Sequence, residues 1–391
     1  MLRWALGVIL LLGCAFAGFV AVMEHPATRG PARCWMQETF YAQEWADAPA
    51  GTEVIEAVRV TEPVRDECDA ADDPAIWVTQ NAGDIRVHVL GTNKQRSINV
   101  YDVSGQLISR ADDLGAPNNV DMRQSSDTVL AFASDKDDGQ IEAFVFDPAT
   151  GALDPLPGAP FAAVAEDEVY GLCPGRLDEA LFVFTTDKSG LIVQYSVKRQ
   201  GPGWRAREVR QVRVETQPEG CVVDDDAAAL FVGEEDVGIW RFDAAPDGRA
   251  GGALIAKVGA RGELVADVEG LAIYEFAGPT RGYLIASSQG DNTFAVFDRA
   301  APHTFRGRFA VSFGGEQIGD TDGIAVSSAV RTADFPAGLM VLQDGFIRTG
   351  GRSGAQEQTG TRRRQRFAYV SFAQVVAALN LAGDDTLAGN P

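Results

Sequence analysis

Carboxylates, lysines and one tyrosine are the residues of this sequence best suited to chemistry, and their spacing suggests how they act. From Asp66 to Asp73, five carboxylates (Asp66, Glu67, Asp69, Asp72 and Asp73) fall within eight positions and lead straight into the strand-like run Ala75–Val78. Charges this close repel, so they either lie in solvent or gather around something cationic. The same passage from polar to apolar recurs as NNVDMR at Asn118, EVYGLC at Glu168, QPEGCVV at Gln217, DVEGLAIY at Asp267 and DTDGIAV at Asp320. With Asp73, Asp121, Tyr170, Glu219, Glu269 and Asp322 as markers, the copies follow one another at intervals of 48 to 53 residues.

Such a period calls for one structural unit per copy. Each copy is followed by a second apolar run ending in a polar cluster: HVLGTNK, LAFASDK, FVFTTDK, LFVGEED, LIASSQG and MVLQDG. The first five then reach a third run of aromatic and β-branched residues: INVYD, IEAFVFD, LIVQYS, VGIWRFD and NTFAVFD. Turn residues such as PATG at Pro148 and APDG at Ala245 punctuate the joins. Helical periodicity is almost absent, so the expected fold is all-β, a six-bladed β-propeller. In a propeller the first strand of each blade lines the channel and the antiparallel second strand returns to the same rim. Asp73, Asp121, Glu219, Glu269, Asp320 and Asp322 are then expected to meet Lys94, Lys136, Lys188, Glu234, Glu235, Asp236 and Gln289 around one site. The ring is lopsided, with lysines ending the second strands of blades one to three and acids ending that of blade four. A polyanion held between lysines and hard cations satisfies both halves, which points to a phosphorylated substrate.

The whole chain is consistent with this. Its 391 residues, 46% hydrophobic, are enough for a large core, and a formal charge of -21 excludes nucleic acid as a partner, since a phosphate backbone needs a basic face. Residues 1–23 carry Arg3 as their only charge before the uncharged run Trp4–Met23. An uncleaved membrane anchor, a signal peptide cut after Ala15-Phe16-Ala17 and an imperfect lipoprotein signal ending at Cys14 all fit this segment. Each implies an exported protein: periplasmic, secreted or membrane-anchored. Residues 24–65 are expected to lead into a propeller spanning 66–391. Four cysteines remain in the exported part, Cys34, Cys68, Cys173 and Cys221. Of the three pairings, the repeat favours Cys173 with Cys221, which leaves Cys34 with Cys68; buried free thiols are the alternative.

The motifs DDPAIW, TNK, NNVDMR, EVYG, QPEG, GEEDVGIW, DVEGLAIY, SSQGDN, DTDGIAV and QDG, in this order from about Asp66 to Gly345, resemble the β-propeller phytases, also called alkaline phytases. The resemblance implies several Ca²⁺ ions at the top of the channel and phosphate removal from myo-inositol hexakisphosphate (phytate) by attack of metal-bound water, without a covalent intermediate. It implies a 3-phytase type of phosphoric monoester hydrolase, acting as a monomer on a small molecule. Carried over by motif, Asp73, Asp121, Glu219, Glu234, Glu235, Asp267, Glu269, Gln289, Asp320 and Asp322 would hold metal. Glu219, Tyr170, Glu234 and Asp322 would sit at the reacting phosphate, and Lys94, Lys136 and Lys188 would hold substrate phosphates. The family often has Arg where Lys136 stands, and Lys188 lies in a slightly different local pattern; a lysine offers a point charge where arginine offers a fork.

Each assignment has a plainer reading. Most Asp-Gly pairs are turns and most lone lysines are solvated; the ring position argues otherwise here. Glu166, Asp167 and the basic run Arg362 to Arg366 have no such support and read as exposed loop charges. A calcium-dependent propeller lactonase would use fewer carboxylates and no trio of rim lysines. A non-catalytic binding propeller would have lost its rim acids. FAYVSF and FAQVVAALNLA near the C-terminus are expected to close the last blade and add a short helix.

Overall fold

A computed structural model of the protein describes residues 48–81, 84–259, 262–276, 281–346 and 364–382. The strands form six sheets in chain order, each starting on the strand nearest the axis. The inner strands are Ala71–Asn81, Pro117–Ser125, Val169–Leu177, Pro218–Asp224, Val268–Glu275 and Ile324–Ser327. Each pairs antiparallel with a second strand: Asp84–Asn93, Thr128–Asp135, Ala180–Asp187, Ala229–Glu234, Gly282–Ser288 and Leu339–Asp344. The expected six-bladed propeller is therefore present.

Alternation along the strands explains how one chain builds this ring. Successive side chains of a strand point to opposite faces of its sheet, and in a propeller both faces meet a neighbouring blade. In the second strand of blade two, Val129, Ala131 and Ala133 pack on blade one beside Leu90 and Val100, while Leu130 and Phe132 pack on blade three beside Leu172 and Val183. Six such apolar layers stand between the six blades. Full burial of one Phe or Leu contributes about 1.5–3 kcal/mol, so the ring is held mainly by these layers.

The chain closes through its N-terminal part. Arg59–Val60 forms the outermost strand of blade six, pairing with Tyr369 and Ala368 of the third strand Arg366–Ser371. Glu53–Glu56 adds a parallel strand outside Phe305–Phe313 of blade five. Glu53–Glu56 and Arg59–Val60 thus belong to the ring, a role the sequence did not suggest. FAYVSF closes blade six as expected, as its third strand, and is followed by the helix Phe372–Ala378, whose Phe372 stacks on Tyr274 at 3.8 Å. Arg366 and Gln365 depart from the exposed loop expected of their segment: Arg366 pairs with buried Asp344 at 3.0 Å, and buried Gln365 accepts from Ala70 N at 2.7 Å. Cys173 and Cys221, on neighbouring inner strands with Cα atoms 5.7 Å apart, form the expected disulfide. The other expected pair involves Cys34, which lies outside the described residues, as does the export segment. No helix among the described residues is long and apolar enough to cross a membrane.

Candidate active site

The inner strands share one irregularity at the rim. In blades one to five the pairing register shifts so that two residues face one on the second strand: Asp72-Asp73, Asn118-Asn119, Tyr170-Gly171, Glu219-Gly220 and Glu269-Gly270. Blade six holds Asp322-Gly323 just before its strand begins at Ile324. A bulge bends its strand and re-aims a side chain, which turns the first residue of each pair toward the axis. A hydroxyl opposite the bulge satisfies the backbone group freed by the irregularity. Asp73 N donates to Thr92 Oγ1 at 2.9 Å, Asn119 N to Ser134 Oγ at 3.1 Å and Gly171 N to Thr186 Oγ1 at 2.9 Å. Ser134 and Thr186 also donate to the next blade, at Tyr170 O (2.6 Å) and Pro218 O (3.1 Å), and so stitch neighbouring bulges together. Glycine follows the ring residue because the inner strands nearly touch: an added Cβ at Gly171 would collide with Glu219 O, and one at Gly220 with Glu269 O.

The ring is thus Asp72, Asn118, Tyr170, Glu219, Glu269 and Asp322. A second tier follows the ends of the second strands, where Lys94, Lys136, Lys188, Glu235 and Gln289 donate their backbone N–H to Ala70, Ala116, Glu168, Gln217 and Asp267 in turn. Carboxylate oxygens of Glu219, Glu235 and Glu269 all lie within 4.8 Å of one another. Burial, then Glu219, pushes Glu235 up to about 8 and drives Glu269 well above the carboxylate range. Glu269 Oε2 is buried with no hydrogen-bond partner among the described residues. Burial, then Asp322, raises Asp320 to about 8, and burial raises Asp322 to about 6 even with Lys94 beside it. Burial, then Asp236, raises Asp267. Lys94 alone does not offset the burial and mutual repulsion of these acids, and an oxygen-rich cluster of this kind fits a hard cation.

Lysines occupy the opposite arc. Lys94 is 6% exposed and contacts Asp69 at 2.7 Å, Asp322 at 2.9 Å and Asp72 at 3.4 Å. Burial opposes its charge, yet Asp322, Asp69 and Asp72 together hold its ammonium well above the ordinary lysine range. Lys136 donates to Asn118 Oδ1 at 3.1 Å, and Asn118 Nδ2 donates to Glu219 Oε1 at 3.0 Å, so one amide links a lysine to the acid cluster. Burial and then Lys94 push Lys136 below the lysine range. Lys188 pairs with Glu168 at 2.8 Å. Lys136 and Lys188 lie 5.5 and 4.6 Å from the centre of the Tyr170 ring.

Three expected site residues stand elsewhere. Asp73 lies one position past the ring, and its Oδ2 accepts from Val120 N of blade two at 3.0 Å. Asp121, three positions past Asn118, is held by its neighbours: Oδ2 accepts from Arg123 at 3.1 Å and Oδ1 from Met122 N at 2.6 Å. Glu234 is fully buried inside blade four, where it accepts from Thr216 N and Oγ1 at 2.5 and 2.7 Å and from Trp240 Nε1 at 2.7 Å. It matches Asp135 and Asp187, which cap loop N–H groups at the same point of blades two and three. One ring member, Asn118, escaped the sequence reading, and Asp72 counts there only as part of the carboxylate cluster ahead of the first strand. Asp72, whose buried carboxylate meets Lys94 Nζ at 3.4 Å, and Asn118 are each the first of a polar doublet.

Comparison with known proteins bears on this geometry. The family described as Phytase matches residues 37–386. A 3-phytase of Bacillus subtilis (strain 168) is 34% identical over 334 residues, covering 82% of this chain and 84% of its relative. A chain in the crystal structure of the mitotic checkpoint complex overlays 78% of this chain and 79% of itself at a TM-score of 0.42 and 13% identity, too loosely to bear on function. Six bulged strands carrying converging acids beside a lysine arc, and a family match spanning all six blades, lead to one assignment: the chain belongs to the Phytase family.

Proposed function

We propose that the chain is a calcium-dependent phosphomonoester hydrolase that removes phosphate from phytate. The observation that carries this reading is the division of one rim into an arc of converging carboxylates, within 4.8 Å of one another, and an arc of lysines around Tyr170. Family membership and the 3-phytase of Bacillus subtilis support phytate as the substrate. Glu219, Glu235 and Glu269 would hold the metal, with Asp267, Gln289, Asp320 and Asp322 along the same arc. The unpartnered Glu269 Oε2 supports that choice. When bound there, calcium supplies positive charge for phosphate oxygens and makes water more acidic.

The remaining work falls to the chain. Asn118 fixes the rotamer of Glu219 through Oε1, which keeps that carboxylate aimed into the cluster. Lys136, held below its usual range by burial and by Lys94, gains most from an arriving phosphate, whose negative charge offsets both effects. Lys188, about one third exposed, exchanges Glu168 for substrate at low cost. Tyr170 sits between the two lysines, and its ring sets their spacing and so the phosphate pair they accept. Glu219, then burial, pushes the Tyr170 hydroxyl well above its usual range, so it stays protonated and donates a hydrogen bond to a phosphate oxygen. The test is phosphate release from phytate by EDTA-treated protein as calcium is restored. Activity should return with calcium, and Glu269→Gln should need more of it. Release that survives chelation unchanged refutes the metal's role.

A further inference from the structure

Blade three departs from its neighbours on the face opposite the site. Its third strand, Leu191–Gln200, has ten residues, against six or seven in blades one, two, four and five. Three or four extra residues at about 3.3 Å each carry the hairpin roughly 10 Å farther from the rim. The chain runs down this strand from Lys188 and returns along Gly203–Arg213, so the turn at Gln200–Gly203 lies on the bottom face. One side of the hairpin packs on blade two through Tyr195, Val197, Trp204 and Ala206, and Trp204 N donates to Pro157 O at 2.7 Å, which braces the turn.

The other side is cationic. Lys198 stands directly across from Arg205, and Arg207 follows on the same face across from Ser196. Arg199, across from Trp204, adds a fourth charge near the turn. All four are exposed, and none has a side-chain partner among the described residues. Like charges opposed across strands destabilise a hairpin. Here they stand uncompensated in a chain of charge -21, where acids are plentiful.

A second observation concerns the same face. Glu53–Glu56 runs parallel to Phe305–Phe313, which rises from the bottom face to the rim, so the N-terminal part of the chain joins the propeller from below. The uncharged run Trp4–Met23, long enough for a bilayer at about 1.5 Å per residue, precedes it in the sequence.

We propose that the bottom face lies against a membrane, with Lys198, Arg199, Arg205 and Arg207 contacting the headgroups of anionic phospholipids. Docked this way, the catalytic rim faces away from the bilayer and stays open to a soluble polyphosphate. Polybasic contact falls off within a Debye length, so the acidic rim on the far side does not oppose it.

Flotation of the full chain with vesicles tests this, comparing pure phosphatidylcholine with phosphatidylcholine containing phosphatidylglycerol. Binding through the apolar N-terminus is the same in both, so the difference isolates the headgroup contact. The anionic vesicles should retain more protein, and K198E/R199E/R205E/R207E or high salt should reduce that excess about tenfold or more. Unchanged phosphate release by the variant shows that it is folded. Equal retention by both vesicle types, or a variant that keeps the excess, overturns the proposal. So does lipid-free self-association abolished by the four substitutions together with no lipid dependence, which assigns the cations to a second copy.

Discussion

Removing metal from this protein should reverse the way pH acts on its stability. The perturbation is a pH series in excess EDTA beside the same series in calcium. Asp322, whose side chain is 15% exposed, is raised by burial from its usual 3.8 to about 6. In the folded state it therefore keeps its proton over a window in which the unfolded chain has lost it. The stability linked to this group is fully present below 3.8 and declines as pH climbs toward 6, beyond which the loss is complete. At 1.36 kcal/mol per unit the loss is about 3 kcal/mol. For 391 residues an unfolding entropy of about 2.1 cal/mol/K per residue turns this into a Tm lowered by roughly 4 °C. Glu235 and Asp320, both raised to about 8, extend the decline toward pH 8. A cation binds the ionised carboxylates and competes with protons, so its stabilisation grows over the same window. Calorimetry from about pH 5 to 8 should show the two Tm curves diverging as pH rises. An EDTA curve that is flat or climbing, or a calcium-induced shift that does not vary with pH, would refute this account of the rim.

Other outcomes follow from single contacts. Glu219→Gln should lower kcat by about 100-fold or more with the fold intact by circular dichroism, because it removes charge from the centre of the acid cluster. Lys136→Ala should raise KM for phytate roughly tenfold with a smaller change in kcat, as expected for a charge-assisted contact to a phosphate distant from the one being cleaved. Glu234→Gln should do the reverse: Tm falls by a few degrees, through about 1–3 kcal/mol of mismatched hydrogen bonds to Thr216 and Trp240, while kcat in saturating calcium stays within about twofold. Gly220→Ala should raise the calcium needed for half-maximal activity, since the new Cβ must push Glu269 O, and with it the Glu269 carboxylate, out of place.

How much of the site was legible depended on whether neighbouring residues differ in type. Tyr170-Gly171, Glu219-Gly220 and Glu269-Gly270 pair a functional residue with the only residue that fits the close approach, and the sequence marks both. Asp72-Asp73 and Asn118-Asn119 fill both bulge positions with similar side chains, so composition cannot say which one faces the axis. Only the register opposite Thr92 and Ser134 decides. Glu234 and Glu235 pose the same problem: adjacent acids, one turned into the blade toward Trp240 and one toward the axis. The lopsided rim was legible because lysine and glutamate differ in charge. The closing strands were not, since Glu53–Glu56 and Arg59–Val60 are too short to carry a period and follow none of the repeat's motifs.

That closure has a consequence for how the molecule comes into being. Phe367 N donates to Thr61 Oγ1 across 306 residues of chain, and Val60 pairs with Ala368. Blades one to four are built from strands adjacent in sequence and can assemble in the order in which they leave the ribosome. Blade five takes Glu53–Glu56 on its outer edge and blade six takes Arg59–Val60 beside one of the last strands, and joining such distant partners costs loop entropy and time. Until then the growing ring has two raw edges, one on blade one and one on the most recent blade. The propeller therefore becomes a closed body only when synthesis is nearly complete, and a chain stopped short of residue 366 is left as an open arc with Arg59–Val60 unclaimed.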